Sequence, residues 1–251
     1  MVNFVGAGCG AADLITIRGK ALIETADVII YAGSLVNPQL LSYAKAGCEI
    51  HNSAYITLDE VIAVMEQAEK NGRNTVRLHT GDPSLYGAVR EQMDRLDELD
   101  IAYDICPGVS SFCGAAAALK AEYTLPEISQ TVIITRMAGR TSVPEKESIE
   151  ALAAHDATMV IFLSTGLLKE LSESLIRGGY APDTSAAIVY KASWADEKVC
   201  RCTVETLYDT AEKNGIKKTA LITVGRFLGD DYALSKLYDE SFETEFRKAK
   251  K

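Results

Sequence analysis

Short β-favouring apolar runs alternate with segments of helical period along most of this chain, and that alternation restricts it to α/β layer architectures. Asn3-Phe4-Val5-Gly6 predicts a strand feeding the glycine-rich turn Gly6-Ala7-Gly8-Cys9-Gly10. Asp13 is placed to cap the next helix, with Leu14, Ile17, Ala21 and Leu22 at helical spacing. Val28 to Tyr31 reads as a compact strand. Thr57 and Glu60 form a capping-box pattern ahead of Val61, Val64, Met65 and Ala68. Thr75 to Leu78 gives another strand, ending at Thr80-Gly81-Asp82-Pro83. A helix is expected from about Ser84 to Leu99, then a strand near Ala102 to Cys106 and the turn Pro107-Gly108-Val109-Ser110-Ser111.

The segment from about Ala121 to Gln130 holds Pro126 and has weak periodicity, so it reads as the connection to a second domain. Beyond it, Val132–Thr135, Met159–Leu163, Ala186–Tyr190 and Leu221–Val224 are strand candidates, with helical patterns near 145–155, 166–177 and 204–214. Val199 to Val204 is placed to pair antiparallel with the strand before it. The expected organisation is two α/β domains, residues 1–120 and 121–251.

Hydrophobic residues make up 47% and charged residues 24% of the 251, enough apolar surface to build real cores and to exclude disorder for the body of the chain. The net charge of −9 disfavours a nucleic-acid role, because phosphate backbones select basic surfaces. The basic residues are scattered apart from Lys248, Lys250 and Lys251 in a tail that reads as solvated. The six cysteines (Cys9, Cys48, Cys106, Cys113, Cys200, Cys202) form no C-x-x-C pair, and His51, His79 and His155 are far apart, so no metal site is indicated. Cys106 and Cys113 are expected in the core, and a reducing cytoplasm suits the thiols. No apolar run reaches the length of a membrane span, and no secretory leader is apparent at the N-terminus.

Four segments can carry chemistry. Gly6 to Gly10 allows close backbone approach to a ligand, or simply a tight turn. Its spacing is not that of a dinucleotide fingerprint, and the acidic residue expected after the second strand is absent, since that strand runs into Tyr31-Ala32-Gly33. Thr80-Gly81-Asp82-Pro83-Ser84-Leu85-Tyr86-Gly87 follows a strand, where Asp82 either contacts a ligand or caps a helix. Pro107 to Ser111, followed by the small residues Cys113 to Ala118, permits close approach of a ligand or of another element. Arg136 and Arg140, flanking a glycine loop in an acidic chain, suit carboxylate binding but equally suit an exposed surface.

Taken together and in order, Val5-Gly6-Ala7-Gly8 with Asp13-Leu14-Ile15-Thr16, Ala26-Asp27-Val28-Ile29, Gly81-Asp82-Pro83 and Pro107-Gly108-Val109-Ser110-Ser111 resemble the tetrapyrrole (class III) methyltransferases over nearly the whole chain. Tyr31 to Val36, Gly81 to Gly87, Thr135 to Thr141 and Ala192-Ser193-Trp194-Ala195-Asp196-Glu197 resemble the branch that methylates carbon 11 of precorrin-4. The resemblance implies two α/β domains with S-adenosylmethionine held in a cleft between them, and a homodimer. It places the cofactor against Cys9, Gly81, Asp82, Leu85, Tyr86, Ser110 and Ser111, with Leu163, Ala192 and Ala220 as further contacts. Leu163 falls where relatives often have methionine.

Cys9 departs from the Gly-Pro-Gly common in the first loop and predicts a less rigid turn. Ala32 replaces an aspartate of the uroporphyrinogen methyltransferases, so no general base is evident there. The implied substrate carries many acetate and propionate groups. Arg136 and Arg140 are the first candidates to pair with them, with Tyr31, Ser34, His51 and Tyr55 lining the same trough. Rival readings are a methyltransferase of this fold acting on another precorrin carbon, on protein or on RNA, a nicotinamide-dependent oxidoreductase, and a non-catalytic tetrapyrrole carrier.

Overall fold

The computed structural model describes residues 1–250; Lys251 and the side chain of Ser34 lie outside the described residues. The chain is α/β and divides into two compact units. The first holds Met1–Ala115 and takes back Lys191–Glu197; the second holds Ala116–Tyr190 and the chain from Lys198 onward.

In the first unit, β1 (Val2–Gly6) leads to α1 (Ile17–Thr25), β2 (Val28–Tyr31), β3 (Glu49–Asn52), α2 (Leu58–Lys70), β4 (Thr75–His79), α3 (Arg90–Glu98), β5 (Tyr103–Cys106) and α4 (Ser111–Leu119), the last continuing into the second unit. The five strands form one parallel sheet in the order β3-β2-β4-β1-β5. The connections from β1 and β4, which are neighbours, leave in opposite directions, so these strands frame a switch point at their carboxyl ends. Apolar clusters cover both faces of the sheet. Phe4, Val28 and Ile30 pack with Met65 and Leu96 on one side, while Val5, Ile29 and Leu78 pack with Ile23 and Leu40 on the other. Each such side chain contributes about 1.5–3 kcal/mol when fully buried.

The capping box forms as predicted. Thr57 Oγ1 accepts from the Glu60 amide and the Glu60 carboxylate accepts from the Thr57 amide. Other expectations fail for identifiable reasons. Thr16, not Asp13, caps α1, its hydroxyl accepting from Gly19 N at 3.0 Å, and the buried face of α1 is Gly19 and Ile23 while Ile17 is 92% exposed. The helix expected from Ser84 begins only at Arg90, because Tyr86 and Ala88 adopt positive φ. Cys106 is buried but Cys113 is exposed. The short edge strand β3 was not foreseen.

In the second unit, β6 (Val132–Arg136), α5 (Ile149–Ala153), β7 (Thr158–Phe162), α6 (Leu168–Arg177), β8 (Ser185–Tyr190), β9 (Lys198–Thr203), α7 (Leu207–Asn214) and β10 (Ala220–Val224) form a mixed sheet in the order β6-β7-β10-β8-β9. Only β6 and β7 run parallel, and β9 pairs antiparallel with β8 as the sequence predicted. Met159, Ile161, Ile188 and Ile222 from the sheet pack with Leu171 and Leu175 of α6 and Leu207 of α7. Among the described residues all six cysteines are free, no helix is long and apolar enough to cross a membrane, and no His/Cys/Asp/Glu group is arranged to hold a metal.

Candidate functional site

In the first unit, the loops after β1, β4 and β5 meet at the switch point. Gly8 and Gly81 exchange backbone hydrogen bonds, Gly8 N donating to Gly81 O at 3.2 Å and Gly81 N to Gly8 O at 3.0 Å. Asp82 accepts the Gly108 amide on Oδ2 at 2.8 Å, and its Oδ1 accepts from the Ser84 amide at 2.9 Å and from the Ser84 hydroxyl. Burial alone would raise the Asp82 carboxyl, but the bonds from Ser84 and Gly108 outweigh it and hold its pKa below the ordinary value. The carboxylate therefore staples two loops and does not cap a helix.

Glycines let these backbones touch. A Cβ on Gly6 would lie 2.6 Å from both Gly108 Cα and Gly81 O. The result is a floor of bare main chain at the carboxyl ends of β1, β4 and β5. Cys9, Gly81, Leu85, Ser110 and Ser111 stand on the loops that form it, with Tyr86 at φ 55° and 44% exposed. Such a surface fits a ligand that needs close backbone approach, as the nucleoside and amino-acid ends of S-adenosylmethionine do.

Where relatives have proline, other groups hold the first turn. Asn37 Nδ2 donates to Gly10 O at 2.9 Å, and Ser193 Oγ accepts the Ala11 amide at 2.9 Å and lies 3.4 Å from Cys9 Sγ. Ala192 is buried in this first unit, beside the Gly10 and Gly114 backbones.

The substrate-side candidates of this unit cluster on β2, on β3 and in the turn after β3. Tyr31 closes β2 and its carbonyl accepts from Ser53 Oγ at 3.0 Å. Tyr55, in the turn after β3, is 85% exposed. His51 is paired with Glu49 at 2.7 Å, so its ring has a partner already. Ser34, the remaining candidate, has its side chain outside the described residues.

In the second unit, the strand register places Arg136, Leu163 and Ala220 at one end of the sheet. Arg136 is opposite Phe162 on β7, and Ala220 opens β10 antiparallel to β7 and opposite Tyr190. Leu163, immediately after β7, has φ 53° and is 64% exposed. Next to it, the fully buried Ser164 donates to Phe162 O at 2.7 Å and accepts from Met137 N at 2.9 Å, which fixes the arginine loop to the Leu163 turn. The two arginines differ. Arg136 spends its guanidinium on its own loop, donating to Met137 O, Thr141 O and Ser142 O at 3.1, 3.2 and 2.7 Å. Arg140 is exposed and has no hydrogen-bond or ion-pair partner among the described residues.

Sequence reasoning missed the positioning hydroxyls of Ser164 and Ser193. Both act through main-chain contacts to residues 27 or more positions away, and no local spacing signals that.

Residues 1–208 match the model of the tetrapyrrole (corrin/porphyrin) methylases. The chain is 55% identical to the cobalt-precorrin-4 C(11)-methyltransferase of Methanocaldococcus jannaschii, over 100% of this chain and 97% of that protein. It is 44% identical to the precorrin-4 C(11)-methyltransferase of a Sinorhizobium species, over 98% of each. Among solved structures, the X-ray structure of the cobalt precorrin-4 methyltransferase CbiF, a cobalamin biosynthetic enzyme, superposes with a TM-score of 0.89 at 44% identity, covering 91% of this chain and 96% of that one. With a family model spanning most of its length and relatives matched end to end, the chain belongs to the tetrapyrrole (corrin/porphyrin) methylase family.

Proposed function

We propose that this protein is an S-adenosylmethionine-dependent C-methyltransferase that methylates carbon 11 of precorrin-4, or of its cobalt-bearing form, in cobalamin biosynthesis. The observation that carries this reading is the 55% identity, over the whole chain, to a cobalt-precorrin-4 C(11)-methyltransferase. Identity of 44% to a precorrin-4 enzyme leaves both metal states of the substrate within the proposal. A homodimer working in the cytoplasm belongs to the same proposal, the dimer resting on the family resemblance and the compartment on the cysteine pattern.

S-adenosylmethionine supplies an electrophilic methyl group on a sulfonium. The loops bearing Cys9, Gly81, Leu85, Tyr86, Ser110 and Ser111, with Ala192 beside them, would hold it in the first unit. Asp82 accepts loop donors on both oxygens, which shapes the floor, and the lone pair left on Oδ2 keeps it a candidate contact for the cofactor. Enamine-like carbons of the macrocycle are already nucleophilic, which removes the need for a strong base and matches Ala32 where other branches carry aspartate. The chain's work is then to orient and to exclude water. Arg140 offers an unpartnered guanidinium for a peripheral carboxylate, and Arg136 holds the loop that presents it.

Calorimetric titration with S-adenosylhomocysteine, with NAD as control, tests the cofactor assignment. Incubation with precorrin-4 with and without cobalt, read by product mass and NMR, tests the position methylated. Binding of NAD alone would overturn the reading, as would a product methylated elsewhere than at carbon 11.

A further inference from the structure

The first turn of the proposed cofactor floor is closed by a segment from far along the chain. Residues 191–197 leave β8 and join the first unit, where Ala192 is buried and Trp194 covers Gly10 so closely that a Cβ on that glycine would collide with the indole. Ser193 is held at φ 64°, a left-handed conformation that costs a serine about 1 kcal/mol and persists only where the surroundings impose it. Three contacts impose it here. Ser193 N donates to Glu197 Oε2 at 2.6 Å, Trp194 N donates to Lys191 O at 3.0 Å, and Lys191 Nζ bonds Asp196 at 2.6 Å while lying 5.1 Å from the Trp194 ring centroid. In that conformation the Ser193 hydroxyl reaches the turn, accepting the Ala11 amide at 2.9 Å with Cys9 Sγ at 3.4 Å.

We propose that Ser193 is a positioning residue for cofactor binding, and that segment 191–197 is a latch whose hydroxyl fixes the Cys9–Ala11 turn in its ligand-ready form. The inference rests on the methyltransferase reading and deepens it. It supplies the rigidity that a proline would otherwise give this loop. Without the hydroxyl the Ala11 amide loses its partner, the turn gains alternative conformations, and cofactor binding must first restore the competent one.

Two substitutions remove opposite ends of the same bond. Ser193→Ala deletes the acceptor. Ala11→Pro deletes the donor at a residue whose φ of −62° and ψ of 138° suit proline, and the ring Cδ that takes the amide hydrogen's place crowds Ser193 Oγ, a clash that the double variant relieves. Titrated with S-adenosylhomocysteine by calorimetry, each variant is expected to bind about three- to tenfold more weakly than the parent, the range for one lost hydrogen bond, and the double variant no more weakly than either single. The cofactor KM rises while kcat at saturation and the substrate KM stay unchanged, a split that general loss of fold would not produce. Trp194 is the chain's single tryptophan, so its emission reports the latch and is expected to shift on saturation of the parent. Parent-like affinity in both single variants overturns the latch, as does an emission that ignores a ligand calorimetry shows to be bound. Failure of the parent itself to bind S-adenosylhomocysteine overturns the methyltransferase reading beneath it.

Discussion

Gly108 donates its amide to Asp82 Oδ2 at 2.8 Å, so the loop after β4 holds the loop after β5 in place. Asp82→Asn keeps an acceptor for one of the two loops and loses it for the other. Bonds to a charged acceptor contribute about 1.5–3 kcal/mol, so S-adenosylhomocysteine affinity is expected to fall at least tenfold. The sign with pH is set by the depressed carboxyl. Its folded-state pKa is below the unfolded one, so its stabilisation is complete above the ordinary carboxylate range and is lost as pH falls through the folded value. Urea titrations should show the parent's advantage over Asp82→Asn at pH 7 and its loss in strong acid. An equal advantage at both pH values would contradict the staple.

Arg136 and Arg140 separate by what their guanidinium groups already bind. Arg140→Gln is expected to raise the substrate KM about tenfold, with the melting temperature within a degree or two of the parent. Arg136→Gln removes bonds to Met137, Thr141 and Ser142 and should lower the melting temperature by several degrees as well as raising the KM. Steady-state kinetics alongside calorimetric melting distinguishes them. Equal thermal loss in both would sink the division of roles.

His79 gives the molecule an acid-sensitive point inside the first unit. It is buried on β4, stacked near Phe4, its Nε2 has no hydrogen-bond partner among the described residues, and burial with the neighbouring Arg77 charge depresses its pKa to about 3. Arg77, by contrast, is satisfied by Gln92 Oε1 at 2.9 Å and Ile30 O at 3.1 Å, and burial lowers it only to about 10. An unfolded histidine protonates near pH 6.5 while the folded one stays neutral. Stability from this residue is therefore complete above about pH 6.5 and declines as pH falls, by at most about 1.4 kcal/mol per unit. Replacing His79 with glutamine, which cannot titrate, should flatten the urea-midpoint curve between pH 6 and 4. An unchanged slope would remove His79 as its source.

The legible parts of this fold were those written in local spacing. The Thr57–Glu60 capping box and the apolar runs of β2 and β4 need only neighbours a few residues apart, and each formed as read. The helix expected from Ser84 shortened because Tyr86 and Ala88 turn to positive φ, which periodicity does not encode. The strand Glu49-Ile50-His51-Asn52 escaped because an edge strand with polar residues on both faces has no alternation to detect. The site divides in the same way. Glycine motifs marked the floor after β1, β4 and β5, and the resemblance marked the segment Ala192–Glu197, but no local spacing ties Ser193 to the amide it accepts 182 residues away.

That floor is packed backbone against backbone. A Cβ on Gly108 would run into the Gly81 carbonyl oxygen and lie 2.7 Å from Gly6 Cα, and all of these are backbone atoms that no rotamer change can move aside. Gly108→Ala must therefore separate the β5 loop from the β1 and β4 loops, stretching the Asp82 staple. A cost of about 1–3 kcal/mol is typical of such overpacking, with a larger loss of cofactor affinity because the floor itself is displaced. Gly47→Ala provides the comparison. Its φ of 80° disfavours alanine, yet nothing lies within 4 Å of the new Cβ, so it should cost about 1 kcal/mol of stability and leave cofactor affinity untouched. Melting temperature and S-adenosylhomocysteine titration on both variants decide it. Retained affinity in Gly108→Ala would mean that the ligand does not rest on these three loops.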